Sequence, residues 1–352
     1  MDTRGFRAAL DALVAGTTSA EDVARDADAG IDMLPELVGY LTGDLPIDAL
    51  ERIEALVKAI LFAACKRSAT AAEAREIALF QKRVGFLLKY KPYAVKCANP
   101  LGYSLFLQNE GEGFSFQRHT EHKVEVFHII EVLPGGYAFM CDHDMWREVF
   151  EPDSFARWLE GAADERYDRF RYELSPGDVL VIDELNVVHS VIGCVLEEFA
   201  TVSTDMVDRL YDQNSRTDIP AEFTRAFVRR RLAEIRYPSE SRVVYGGGSV
   251  ETRPVEGGSV RVLADSFVSA RAYSIEGAGP VLHDAERAAS VYVTGGAGEF
   301  QLADTPAIPV AAGDLLTIVP GIRYQAVARG GDPLTFSEHR IAPEVAFKPG
   351  PT

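Results

Sequence analysis

Residues 114–137 read FSFQRHTEHKVEVFHIIEVLPGGY, and residues 175–193 answer them with SPGDVLVIDELNVVHSVIG. The first stretch reads as two short strands joined at 119–122. Side chains alternate along a strand, so Ser115, Gln117 and His119 share one face and Phe114 and Phe116 the other. On the second strand Lys123, Glu125, Phe127 and Ile129 oppose Val124, Val126, His128 and Ile130. Gln117, His119 and Glu125 then converge inside a β-barrel while their neighbours cover its outside. The answering stretch opens on the tight turn Pro176-Gly177-Asp178 and delivers His189 from a strand rich in β-branched residues. One carboxylate, two imidazoles and an amide oxygen suit a divalent first-row metal that keeps positions open for a substrate.

Upstream, residues 2–91 read as helical. Phe6, Leu10, Leu13 and Val14 repeat at helical spacing, and Leu50, Ile53, Leu56, Val57, Ile60 and Leu61 make a wide apolar face. Ser19-Ala20-Glu21-Asp22 and Thr70-Ala71-Ala72-Glu73 have the pattern of capping boxes, and Gly43-Asp44-Leu45-Pro46 reads as a turn. This region carries no catalytic constellation and reads as a cap or an oligomerisation element, which leaves a homo-oligomer open. Pro92 ends it, and a barrel spanning 92–212 follows. An insertion at 144–168 interrupts that barrel with Trp146, Phe150, Phe155 and Trp158 among charges, and reads as helices. The tryptophans suit a structural role better than a lid over the barrel mouth.

Residues 213–236 read as a linking helix whose Arg225, Arg229, Arg230 and Arg231 form a solvated or ion-paired face. Residues 237–352 repeat the barrel plan in weakened form. Ala312-Gly313-Asp314 matches Pro176-Gly177-Asp178, and His283 lies where ligands are expected. Tyr324 stands in place of a second late histidine, so this barrel reads as metal-free.

The chain has 352 residues, 47% of them hydrophobic, enough to bury sizeable cores in two or three domains. A formal net charge of −17 argues against nucleic acid or an anionic membrane as the main partner. Cys65, Cys97, Cys141 and Cys194 are scattered without CxxC spacing, as expected of reduced thiols in a cytoplasmic protein. No signal-like or membrane-spanning run is legible.

The QxH of Gln117 to His119, the HKVE of His122 to Glu125, the PGD turn and His189 together resemble the metal site of the cupin superfamily. More narrowly they resemble type I phosphomannose isomerase, in which the Gln and His of a QxH, the Glu of an HKPE and a later His hold the metal. Residues 203–212, STDMVDRLYD, resemble that family's SD-x-x-x-R-L-Y-D signature, whose arginine faces the substrate. Two departures stand out. Only Thr120 and Glu121 separate the QxH from the HKVE, a spacing closer to compact sugar isomerases of the lyxose isomerase type, and the HKPE proline is Val124 here.

The resemblance implies a mainly β chain: two cupin jelly-roll barrels, the second degenerate, behind a helical N-terminal region. It implies one divalent ion (Zn, Mn, Fe or Ni) on Gln117, His119, Glu125 and His189, with Glu121 an alternative to Gln117 in an HxE pattern. The implied activity is aldose–ketose isomerisation of a sugar or sugar phosphate through an enediolate. Lys123 matches the HKPE lysine and is expected to have its pKa depressed by burial beside a cation, with Glu121 and His122 as rival bases. Arg209 is expected to meet anionic oxygen or phosphate. An Fe(II)-dependent oxygenase and a non-catalytic sugar-binding cupin are the alternatives the same fold allows.

Overall fold

Apolar periodicity of about 3.6 in the first quarter of the chain and of 2 thereafter gives helices followed by strands in the computed structural model. It describes residues 2–26, 30–43, 45–67, 69–201, 207–214 and 217–346. The chain divides into two compact units that interleave in sequence.

One unit takes in the described residues of 2–87, 98–103 and 251–346. Its helices are α1 (Thr3–Val14), α2 (Ala20–Asp26), α3 (Leu34–Thr42), α4 (Ile47–Lys66) and α5 (Ala71–Val84). Asp2 caps α1 through Gly5 N–H, and Thr70 and Glu73 close a full capping box on α5. The helical run stops at Val84, short of Lys91, because Gly85 takes a positive φ of 66° that ends the helix.

The strands of this unit form a six-stranded and a four-stranded sheet whose apolar faces meet in one core. Val291 and Phe336 of the larger sheet face Phe300, Leu302 and Ala326 of the smaller, and Phe6, Leu56, Ile60 and Ile77 of the helices join the same core. Two open sheets packed face to face are a jelly-roll arrangement rather than a closed barrel.

At one end of this core the β-strand Leu334–Ile341 turns polar. Arg340 grips Glu338 with two hydrogen bonds of 2.8 and 2.9 Å, Tyr324 donates its hydroxyl to Glu338, and both charged groups are buried. Burial, together with the Glu338 charge, holds the Tyr324 phenol well above its ordinary pKa. Removing one partner of a buried pair strands the other charge, at a cost of about 3–5 kcal/mol. Arg340→Ala is therefore expected to lower the urea midpoint by that equivalent with an unchanged slope. A loss below about 1 kcal/mol, the value of an exposed pair, would contradict the burial described.

The other unit, residues 88–97 and 104–250, holds the quoted motifs. Its sheet takes in β1 (Leu87–Lys91), β2 (Ala94–Ala98), β3 (Tyr103–Gln108), β4 (Phe116–His119), β5 (Glu125–Asp142), β6 (Arg171–Glu173), β7 (Asp178–Ile182), β8 (Val187–Ala200), β9 (Val207–Tyr211) and β10 (Arg242–Tyr245). The main path is β1-β2-β3-β8-β5-β7-β10, with β4 bridging β8 and β9. Its two end strands do not pair, so this sheet too is open.

The inner face carries Phe106, Phe114, Phe127, Ile129, Leu180 and Leu196. The outer face is covered by α6 (His143–Val149), α7 (Pro152–Leu159) and α8 (Glu165–Asp168), whose Trp146, Phe155, Trp158 and Tyr167 pack on Phe116 and Phe139. The insertion is thus helical, and its tryptophans are core. Phe114 lies inside with Phe127, not outside with Phe116, because β4 begins only at Phe116. Immediately before it Gly113 bridges Ile192 so closely that a Cβ would stand 2.1 Å from Val191 O.

Among the described residues no helix is long and apolar enough to cross a membrane, and none of the four cysteines is disulfide-bonded. The arginines of α9 (Arg225–Glu234) behave as a surface face, with Arg231 pairing to Glu131 and Glu234.

Candidate metal centre

Three strands of one sheet bring the site together. His119 ends β4, Glu125 opens β5 and His189 lies near the start of β8, where it sits across from Gln117 in the β4–β8 pairing. All three potential ligands are 0–1% exposed. Glu125 Oε2 lies 3.2 Å from His119 Nε2 and 3.3 Å from His189 Nε2, and the three ligand atoms fall within 4.8 Å of one another. Bonds of about 2.0–2.2 Å to one ion put neighbouring ligand atoms about 3.0–3.6 Å apart. The two shorter separations have that span.

The buried polar atoms make the same point. Among the described residues, both ring nitrogens of His119 and Oε2 of Glu125 have no hydrogen-bond partner. Such atoms cost free energy unless something answers them. His189 Nδ1 lies 3.1 Å from Val187 O, so the ring proton is held there and Nε2 keeps its lone pair for the centre. The donor set of two imidazoles and a carboxylate fits a divalent first-row ion.

Electrostatics divide Glu125 between two partners. Burial acts to raise its pKa, but Lys123 and the imidazoles of His119 and His189 outweigh burial and hold it well below the ordinary carboxylate range. The Lys123 ammonium pairs with Oε1, leaving Oε2 to face the imidazoles. Burial pulls Lys123 down, yet Glu125 and Glu198 together lift it above its ordinary value. That is the opposite of the depression expected beside a cation, because two carboxylates are its neighbours in this structure.

Gln117 is half-buried. Its Oε1 accepts from Ser115 Oγ at 3.1 Å, and its Nε2 stands 3.5 Å from His189 Nε2. Ser115, Gln117 and His119 thus share a face. Arg209 pairs in register with Gln117 on β9, is exposed, and its charge reaches the half-buried Tyr93. Residues 203–206 of the STDMVDRLYD stretch lie outside the described residues. Glu121 is exposed on the bend between β4 and β5 and is absent from the converging set. His122 points to Asp183, with 2.9 Å between Nε2 and Oδ1. His128 occupies the other face, with Nδ1 2.8 Å from Glu197 Oε2 and Nε2 3.2 Å from Ser241 Oγ. In the other unit His283 is exposed.

Sequence reading missed Glu198 and Lys96. Glu198 lies opposite Phe127 on the inner face, is 6% exposed, and takes Lys96 Nζ at 2.8 Å. Lys96 also lies over the Phe106 ring. The available signal was the paired Glu197-Glu198 in an otherwise apolar strand, since alternation must send one glutamate to each face.

No protein-family model matches the chain, and no curated protein matches it. Among solved structures it is similar to the mannose 6-phosphate isomerase from Bacillus subtilis, at 16% identity over 68% of this chain and 75% of that one, with a TM-score of 0.47. It is also similar to an oxalate decarboxylase from Bacillus subtilis, at 14% identity over 72% and 73% of the two chains, TM-score 0.42. A shorter likeness, to Streptomyces PAC13 with uridine, covers 27% of this chain and 76% of the other at 23% identity, TM-score 0.24.

Proposed function

We propose that the chain is a metal-dependent aldose–ketose isomerase acting on a sugar or sugar phosphate through an enediolate. The observation that carries the reading is Lys123, a buried amine paired with the same carboxylate that faces His119 and His189. Aldose–ketose interconversion needs one group that removes a proton from one carbon and returns it to the next. His119, Glu125 and His189 hold the ion, with the Gln117 amide oxygen as fourth ligand once it turns from Ser115. A divalent ion there supplies Lewis-acid stabilisation of negative charge on adjacent substrate oxygens. Lys123 acts as the base in its neutral form, which requires the Glu125 charge to be taken up by the ion, and then carries the substrate proton at Nζ; Glu121 and His122 are the rival bases, both more exposed. The buried walls of Phe106, Phe114 and Phe127 exclude water from the inner face.

Arg209 binds the anionic part of the substrate. Arg209→Ala is expected to raise KM by about tenfold or more with a smaller change in kcat, the pattern of lost binding. An unchanged KM would remove Arg209 from the substrate site.

The two-histidine, one-carboxylate set of His119, His189 and Glu125 also favours a second reading, an Fe(II)-dependent oxygenase. The experiment is anaerobic turnover in deuterated water by metal-loaded protein with aldoses, ketoses and their phosphates. Isomerisation with deuterium appearing on carbon supports the isomerase. No isomerisation, joined with substrate-dependent oxygen uptake by Fe(II)-loaded protein, supports the oxygenase.

A further inference from the structure

The geometry points to Ser241 as an activated nucleophile that takes an acyl group from an activated ester, on the face of the sheet opposite the candidate metal centre. The pairing of β5 with β8 sets His128 and Glu197 directly across from each other, and they are 1% and 0% exposed. Glu197 Oε2 lies 2.8 Å from His128 Nδ1. An ionised carboxylate only accepts, so the ring proton resides on Nδ1 and Nε2 keeps its lone pair. Ser241 Oγ lies 3.2 Å from that Nε2 and donates to it. Carboxylate, Nδ1, Nε2 and hydroxyl in this order let an imidazole take up a hydroxyl proton while the carboxylate steadies the imidazolium.

The hydroxyl is also presented firmly. Ser241 is half-buried, so it sits between the buried base and solvent. Its neighbour Arg242 donates its backbone N–H to Gly177 O at 3.0 Å and its Nε to Asp178 Oδ1 at 2.6 Å, and β10 pairs in parallel with β7 from that residue onward. Gly177 makes the approach feasible, since a Cβ there would stand 2.3 Å from Glu240 O.

In the reaction Ser241 Oγ bonds to the acyl carbon and its proton passes to His128 Nε2. The bond from that carbon to the leaving alcohol's oxygen breaks, and the alcohol departs with the proton. Water then attacks the acyl-serine through the same imidazole, releasing a carboxylic acid and restoring the hydroxyl. Water is the one co-reactant.

The test uses the full chain with p-nitrophenyl acetate and, separately, a fluorophosphonate, the labelled residue being located by peptide mass. The label is expected on Ser241 of the unmodified protein. His128→Gln and Glu197→Gln, with folding checked by circular dichroism and melting, are expected to slow it by about 100-fold or more, the range of lost general-base assistance. Ser239→Ala keeps the rate, and a metal chelator leaves it unchanged. Absence of label from Ser241 in the unmodified protein would overturn the inference. So would an unchanged labelling rate in a folded His128→Gln protein, or slowing by the chelator.

Discussion

Replacing Lys123 with methionine is expected to abolish proton transfer while the metal stays bound. Lys123 Nζ pairs with Glu125 Oε1 and lies outside the converging set of His119, Glu125 and His189, so its loss removes no ligand. It removes the group that shuttles the proton, at a cost of about 100-fold or more in kcat. Methionine fills a similar volume, which limits the packing change at a residue that is 8% exposed. The check is deuterium exchange at substrate carbon, measured beside metal content. Exchange at the unmodified rate in a metal-loaded Lys123→Met protein would pass the base role to Glu121 or His122.

Glu125→Gln is expected to be the most damaging single change to metal affinity. Glu125 is the one anionic member of the converging set, and its neighbours hold it ionised. Outer partners of metal ligands already cost about 10- to 100-fold in affinity when removed, so loss of the carboxylate ligand itself exceeds about 100-fold. The metal-free protein suffers too. Lys123 loses its nearest counter-charge and retains the longer-range field of Glu198, a loss of up to about 3 kcal/mol. Competition with a chromophoric chelator reads the first effect and urea unfolding of the metal-free protein reads the second. Affinity within tenfold of the unmodified protein would remove Glu125 from the ligand set.

Much of this centre was legible because strand alternation is strict. Gln117 and His119, Glu125, and His189 each sit at the parity their strands require, and His128 falls on the far face by the same rule. The legible part ends where the strand ends. Phe114 misreads as an outer residue because the extended pattern continues in sequence past the point where β4 stops at Phe116. Lys123 lies outside β5, so its approach to Glu125 comes from the bend and not from alternation.

Long-range pairs were not readable at all. Lys96 and Glu198 meet across 102 positions, and His128 and Ser241 across 113, through sheet order that local periodicity does not encode. The helical reading of 2–91 ran too far because Leu87–Lys91 is short and no turn signal stronger than Gly85 precedes it. The second sandwich's weakened motifs were visible as Gly313-Asp314 and Tyr324. The Arg340–Glu338 pair beside that tyrosine was not, since an alternating Glu-His-Arg run reads equally well as an exposed edge.

Metal content tests the centre most directly. Protein purified, stripped and reloaded with a divalent ion is expected to hold one ion per chain, as the one converging set of three ligands among the described residues implies. The double variant His119→Ala/His189→Ala is expected to hold none, and His128→Ala to hold as much as the unmodified protein. Stoichiometric metal retained in the double variant, or lost in His128→Ala, would contradict the assignment of the centre.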